Sequence, residues 1–138
     1  MNLNVIVIAT GDLADAFVRA AEMVVDPHPN LHALSCNEGG NMVETGNAMA
    51  DMIQKSGAEF TIILSDAYGS TPTGAALLAI SKCENAAVVT GVNLVSIIQA
   101  LELGKISENA HMLLESIERD GREGIRTITR DDVWDTRG

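Results

Sequence analysis

The side chains best suited to chemistry follow an apolar run near the middle of the chain. Phe60–Leu64 is apolar except for Thr61, which predicts a strand buried on both faces, and Asp66 follows at its carboxyl end. Thr71 and Pro72 predict the start of a helix, whose free N–H groups attract anions. Open α/β sheets bind ligands in such loops, so we interpret this stretch as a functional site. The alternative is that Asp66 only caps the Gly69–Pro72 turn.

Composition and charge limit the classes of protein and partner. The chain has 138 residues, which fits one domain, and is 46% hydrophobic but only 3% aromatic. The core must therefore be aliphatic and rich in alanine, which favours close packing of helices on a sheet. The formal net charge is −10. Nucleic acid is not expected as a partner, because lysine and arginine clusters bind its phosphates.

The cysteines and the apolar runs bear on the cellular compartment. Cys36 and Cys83 have no CxxC spacing, which is typical of reduced thiols in a cytoplasmic protein. No apolar run reaches the roughly 18 residues that a membrane span needs. The first strand follows Met1-Asn2 without a basic flank, so no signal peptide is expected. We therefore predict a cytoplasmic protein.

Strand and helix patterns alternate along the chain, which predicts a three-layer α/β/α domain with a doubly wound parallel sheet. Predicted strands cover residues 3–9, 31–35, 60–64 and 86–90, and helices begin near residues 13, 41, 71, 94 and 107. Ile125–Thr129 predicts a last short strand. The domain is assigned to residues 1–130, and residues 131–138 to a polar C-terminal tail.

Four short motifs resemble those of a known family. They are ILSDAYGSTP (Ile63–Pro72), GVNL (Gly91–Leu94), AEM (Ala21–Met23) and DGREG (Asp120–Gly124). From Leu3 to about Thr129, the chain resembles the enzyme IIA domains of the mannose family of the bacterial phosphoenolpyruvate-dependent sugar phosphotransferase system (PTS). Each motif alone is modest, but four in order and at the right spacing make a strong signal.

The resemblance implies an architecture and a place for the site. It implies four parallel strands in the order 2-1-3-4, plus an antiparallel strand, Ile125–Thr129, exchanged between the subunits of a homodimer. With that order, the loops at Thr10 and Asp66 meet at one crevice, where the sheet reverses direction. We take Thr10 and Asp66 as the candidate catalytic residues. The candidate phosphate-binding residues are Gly69, Ser70, Thr71 and Asn93.

One position departs from the family pattern. The family carries its phosphoryl group on a histidine in a sequence close to Thr-His-Gly-Asp-Leu-Ala, whereas this chain reads Ala9-Thr10-Gly11-Asp12-Leu13-Ala14. Phosphohistidine is an energy-rich phosphoramidate, but phosphothreonine is a stable ester and a poor relay. A threonine hydroxyl also needs an activating base, for which Asp66 is the only evident candidate. His28, His32 and His111 are interpreted as surface or packing residues.

Three functions are compared. The first is a IIA component that relays phosphoryl groups from the phosphocarrier HPr to a IIB component during sugar uptake. In this case the protein associates with a membrane transporter complex without spanning the membrane. The second is a non-catalytic binding or regulatory module on the same fold. The third, a generic nucleotide binder, is the weakest, since the chain lacks both G-x-G-x-x-G after the first strand and a P-loop. We expect no cofactor and no metal.

Overall fold

Strands and helices alternate from the N-terminus to the fourth strand. The computed structural model describes residues 1–37 and 39–135. The elements are β1 (Leu3–Thr10), α1 (Leu13–Val24), β2 (Leu31–Cys36), α2 (Met42–Lys55), β3 (Phe60–Ser65), α3 (Thr71–Ile80), β4 (Ala86–Val89), α4 (Leu94–Gly104), α5 (Ala110–Glu123) and α6 (Arg130–Asp135). Asn109 caps α5, so that helix begins later than the predicted start near residue 107.

The strands form one parallel sheet in the order β2-β1-β3-β4, which confirms the predicted topology. Thr10 lies opposite Cys36 on β2, and Ile8 lies opposite Ser65 on β3. The carboxyl ends of these three strands therefore lie side by side. We call this side of the sheet, with the helix starts that follow it, the crevice edge, and the other side the opposite edge.

The core has two layers, one on each face of the sheet. Val5, Val7 and Ile62 point to the face covered by α1, α4 and α5, whereas Ile6 and Ile63 point to the face covered by α2 and α3. All five side chains are fully buried. The central strands are therefore apolar on both faces, as expected for a parallel sheet between helix layers. This packing holds the ends of β1 and β3 in a fixed relation at the crevice edge.

Two glycines allow α2 and α3 to approach each other closely, and they lead to a prediction. A Cβ added at Gly46 would lie 2.8 Å from Leu78 Cδ2 and 2.9 Å from the Ala75 carbonyl oxygen, whereas one at Gly74 would meet the Met42 side chain. Gly46→Ala should destabilise the fold by about 1–3 kcal/mol, because overpacking outweighs the gain in helix propensity. Gly74→Ala is the control, since a flexible methionine can move aside. Equal urea midpoints for the two variants would contradict this explanation.

In the single chain, the C-terminal segment does not form the strand that the sequence predicts. Ile125–Thr129 forms no strand there, and Ile125 and Ile128 are 80% and 69% exposed. A strand needs a neighbour for its backbone hydrogen bonds, so exchange with a second subunit stays a prediction. The short helix α6 then occupies most of the stretch expected to be a tail. At its start, Thr129 donates from both N and Oγ1 to Asp132 Oδ2.

The helices are short, and this bears on membrane insertion. Within residues 1–37 and 39–135, none is both long and apolar enough to cross a bilayer.

Candidate functional site

Thr10 and Asp66 contact each other directly at the crevice edge. The backbone N–H of Thr10 donates to Asp66 Oδ2 at 3.1 Å, and Thr10 Oγ1 donates to the same oxygen at 2.9 Å. Thr10 is the last residue of β1, and Asp66 follows the end of β3, so the register of the two strands places them together. The prediction that these two loops meet is confirmed.

The second carboxylate oxygen of Asp66 is also occupied. Oδ1 accepts hydrogen bonds from Ala67 N at 2.7 Å and Ser70 Oγ at 2.6 Å. Partial burial alone would raise the pKa of Asp66, but the hydrogen bonds from Ser70, Ala67 and Thr10 outweigh it and lower the pKa below its usual value. Asp66 is therefore ionised at neutral pH and a weak base. It accepts the Thr10 hydroxyl proton as a hydrogen bond but is poorly suited to remove it.

This arrangement predicts a stability that depends on pH. The lowered pKa of Asp66 means that its contribution is fully present above the unfolded-state value, about 3.9, and is lost as the pH falls below it. Asp66→Ala should destabilise the protein by about 2 kcal/mol at pH 7, because it removes an ionised acceptor from several donors. The difference from wild type should shrink at pH 3. Urea denaturation at both pH values measures it, with the exposed Asp51→Ala as control. An equal loss at both pH values would contradict the assignment.

A network of hydroxyl groups holds the loop between β3 and α3. Thr73 Oγ1 donates to the Ala67 carbonyl at 2.6 Å and lies 2.8 Å from Ser65 Oγ. Ser70 Oγ also accepts from Thr73 N at 3.2 Å. Ser65 and Thr73 are buried. Because its hydroxyls are paired with one another, the loop can hold Asp66 in one position.

The cap of α3 is one residue earlier than predicted. Ser70, not Thr71, is the N-cap, and Thr71 is the first helical residue. Both residue types cap helices well, so the sequence pattern alone did not distinguish them. Gly69 precedes the cap with φ of +87°, a conformation that favours glycine.

The start of α3 has few donors left for an anion. Thr73 N donates to Ser70 Oγ and Gly74 N to the Ser70 carbonyl, while Pro72 has no N–H group. Ser70 N donates to the Ala67 carbonyl. This leaves the Thr71 N–H as the donor that the helix start offers to a ligand. The start of α3 therefore offers an anion fewer hydrogen-bond donors than the sequence pattern indicates.

A cleft of about 420 Å³ opens beside Thr10. Its lining residues come from the ends of β1 and β2, the loop after β2 and the start of α3: Thr10, Cys36, Asn37, Gly39, Gly40, Thr71 and Pro72. Cys36 was not among the predicted site residues, although it follows from the register that pairs it with Thr10. Burial, and then the charge of Asp66, raises the pKa of the Cys36 thiol. The thiol is therefore protonated at neutral pH.

Asn93 lies apart from this cleft. Its Oδ1 accepts from Ser96 N at 2.8 Å, and its Nδ2 donates to the Gly121 carbonyl at 3.0 Å. The amide thus caps α4 and ties it to α5, and Asn93 lines a separate groove of about 400 Å³ between β4 and α5. The structure brings Thr10, Asp66, Ser70 and Thr71 together but places Asn93 elsewhere.

The three histidines are outside the cleft as well. His28, His32 and His111 are all in the described part of the chain and are not among the residues that line it. His111 is exposed on α5 and pairs with Glu115, whose Oε1 lies 3.1 Å from its Nε2. None of the three imidazoles therefore lines the cleft beside Thr10.

Comparison with protein families identifies the class of protein. The model of the EIIA-man family, described as "PTS system fructose IIA component", matches residues 4–121. The chain belongs to this family. No match was found among curated proteins.

Solved structures show the same fold. A mannose/sorbose specific IIA subunit from Enterococcus faecalis superposes with a TM-score of 0.83 at 24% identity, covering 94% of this chain and 96% of the other. A PTS IIA protein associated with the fucose utilization operon of Streptococcus pneumoniae has a TM-score of 0.77 at 21% identity, covering 92% and 93%. The phosphotransferase system component EIIA from Streptococcus agalactiae has 0.74 at 19%, covering 91% and 96%.

Proposed function

We propose that this protein is a cytoplasmic IIA-type component of a sugar-uptake PTS that binds HPr-like and IIB-like phosphocarriers without carrying a phosphoryl group at Thr10. Membership of the EIIA-man family supports the class of partner. The observation that carries the proposal is the hydrogen bond from Thr10 Oγ1 to an Asp66 carboxylate that already accepts three other donors.

The chemistry of this contact disfavours phosphoryl transfer. A nucleophilic threonine needs a base that takes its proton as the new bond forms. The lowered pKa of Asp66 makes it a poor proton acceptor near neutral pH. The product would also be a phosphate ester, which is too stable to pass its phosphoryl group to a IIB component. Both steps of a relay are therefore impaired at this position.

Intact mass spectrometry tests the proposal directly. The wild-type protein is incubated with phosphoenolpyruvate, enzyme I and HPr, and a phosphorylatable IIA protein in the same mixture serves as the positive control. We expect the control to gain a phosphoryl group and the wild-type chain to gain none. A stoichiometric phosphoryl group on the wild type would overturn the proposal, and peptide mapping would then locate the acceptor.

A second candidate function is the complete relay from HPr to IIB. The family match favours it, because it spans almost the whole α/β domain and not only the loop at Asp66. In that case another nucleophile must replace the histidine. The mass experiment separates the two functions, since only a relay component gains a labile phosphoryl group that a IIB protein then removes.

We also propose that the protein is a homodimer joined through Ile125–Thr129, which we call the C-terminal arm. Within the described chain β4 pairs only with β3, so its other side is an open sheet edge. The groove between β4 and α5 lies beside this edge, and Ile125 is one of the residues that line it. Pairing of the arm of a second copy with β4 would cover the edge and bury the exposed isoleucines.

A further inference from the structure

A histidine side chain closes the turn between α1 and β2 at the opposite edge. His28 Nδ1 accepts a hydrogen bond from the Asn30 backbone N–H at 3.2 Å, and the His28 carbonyl accepts from Leu31 N at 3.2 Å. An imidazole nitrogen accepts a hydrogen bond only while it carries no proton. The turn, which we call the His28 turn, is therefore built around a neutral ring.

The His28 turn positions the start of β2. The Asn30 carbonyl accepts from Val5 N at 2.9 Å, so the turn also contacts the backbone of β1. β2 is the first strand in the order of the sheet, and in the part of the chain that the structure describes it pairs with β1 alone. No second strand therefore holds the start of β2 in place when the turn changes.

The surroundings of His28 oppose a positive charge on its ring. Burial, and then the charges of Lys105 after α4 and His32 on β2, lower the pKa of His28 below its usual value. Glu102 is paired with Lys105, its Oε1 lying 3.6 Å from the Lys105 Nζ. The neutral ring that the turn requires is thus also the form that these neighbours favour.

Two further charged groups belong to the segments around His28. The Met1 amino group donates to the Ser107 carbonyl at 3.2 Å, in the same segment after α4 as Lys105. Asp26 is the acidic residue of the loop that contains His28, and it is exposed. Positive groups therefore come from β2 and from the segment after α4, whereas the one carboxylate of this loop lies in solvent.

We propose that His28 is a pH-sensitive contact that holds the start of β2 against β1 while its ring is neutral and releases it on protonation. A proton on Nδ1 faces the Asn30 N–H, donor against donor, so the contact breaks. The release is confined to the opposite edge, because at the far end of β2 the Cys36 carbonyl accepts from Gly11 N at 3.0 Å independently of the turn.

The direction of the pH dependence follows from the lowered pKa of His28. The stabilisation by its neutral ring is fully present above the unfolded-state pKa, about 6.5, and is lost as the pH falls through the lower folded-state value. This window lies above the one in which Asp66 is protonated, because the pKa of Asp66 is below the usual carboxyl value. The two effects can therefore be measured separately.

Hydrogen exchange followed by NMR at about pH 7.5 and about pH 5 tests the inference. Protection factors, in which the intrinsic pH dependence of exchange is removed, are compared for the Val5, Leu31 and Gly11 amides. In the wild type, protection of Val5 and Leu31 should fall about fivefold at the lower pH, as expected for the loss of one hydrogen bond. Protection of Gly11 should stay the same.

Three variants assign the change to the His28 ring. His28→Asn keeps a side-chain acceptor for the N–H two residues on but does not titrate, so protection of Val5 and Leu31 should stay high at both pH values. His28→Ala removes the acceptor, so their protection should be low at both. His111→Asn is the control, because His111 is exposed on α5, and it should behave like the wild type.

The contrary outcomes are distinct. Equal protection of Val5 in the wild type at both pH values would overturn the proposal, as would high protection in a folded His28→Ala variant. A fall in protection that persists in His28→Asn would also overturn it, and its disappearance in His32→Asn would assign the effect to His32 instead. Circular dichroism at both pH values checks that each variant is folded.

Discussion

The Thr10→His variant should gain one phosphoryl group when it is incubated with phosphoenolpyruvate, enzyme I and HPr. The imidazole would restore the nucleophile that the family pattern has at this position, because its unperturbed pKa of about 6.5 leaves it largely neutral at cytosolic pH. The backbone N–H of residue 10 donates to Asp66 independently of the side chain. Asp66 would therefore stay in place, ready to accept a hydrogen bond from the new ring.

Two further variants make this gain interpretable. Thr10→Asn offers a side chain of intermediate size without a suitable nucleophile, so it should remain unphosphorylated under the same conditions. Thr10→His combined with Asp66→Ala should be phosphorylated about 10- to 100-fold more slowly than Thr10→His alone, because the group that orients the imidazole is lost. Rates of incorporation by intact mass, with acid lability as the mark of a phosphohistidine, measure both effects.

The contrary results have different meanings. A Thr10→His variant that folds, binds HPr and gains no phosphoryl group would show that the crevice itself has diverged, and not only its acceptor residue. Phosphorylation of Thr10→Asn would place the acceptor elsewhere in the chain. Either result would remove the argument that one substitution at position 10 accounts for the proposed loss of phosphoryl transfer.

The fold was predictable because its strands have unambiguous patterns. The apolar run that begins at Phe60 is buried on both faces, as its sequence indicates, and the order 2-1-3-4 followed from the resemblance. The contact between Thr10 and Asp66 was predictable for the same reason, since adjacent parallel strands end at one edge. The extent of hydrogen bonding to Asp66 was not, because it depends on the path of the loop through Ala67 and Ser70.

Other features depend on contacts that a local pattern does not contain. Cys36 lines the cleft only because of its register with Thr10 across two strands. Asn93 matched a family motif, but its amide is used in capping α4. Four of the five residues of Ile125–Thr129 are β-branched, which favours a strand, yet a single chain gives this segment no neighbour to pair with. Helix α6 was missed because its residues read as a polar tail.

The largest change in assembly should come from two substitutions in the C-terminal arm. Ile125→Asp with Ile128→Asp should convert the proposed dimer into a monomer. Burying one isoleucine side chain stabilises an interface by at least about 1.5 kcal/mol. The dimer would bury four of them, two from each subunit, so the double substitution should cost about 6 kcal/mol of the free energy of dimerisation. At about 1.4 kcal/mol per tenfold, the dissociation constant rises by roughly four orders of magnitude.

Sedimentation velocity at several protein concentrations measures this change. The control is Ile106→Asp, since Ile106 is 79% exposed but lies after α4 at the opposite edge, away from the β4 groove. It should remain dimeric.

Truncation after Gly124 should give the same monomer as the double substitution and should also lower the thermal midpoint, because the open edge of β4 loses its cover. If the truncated chain stays dimeric with an unchanged midpoint, the subunits meet through another surface. In that case the open edge of β4 does not pair with the arm of a second subunit, and the C-terminal arm is exposed to solvent in the dimer as it is in the single chain.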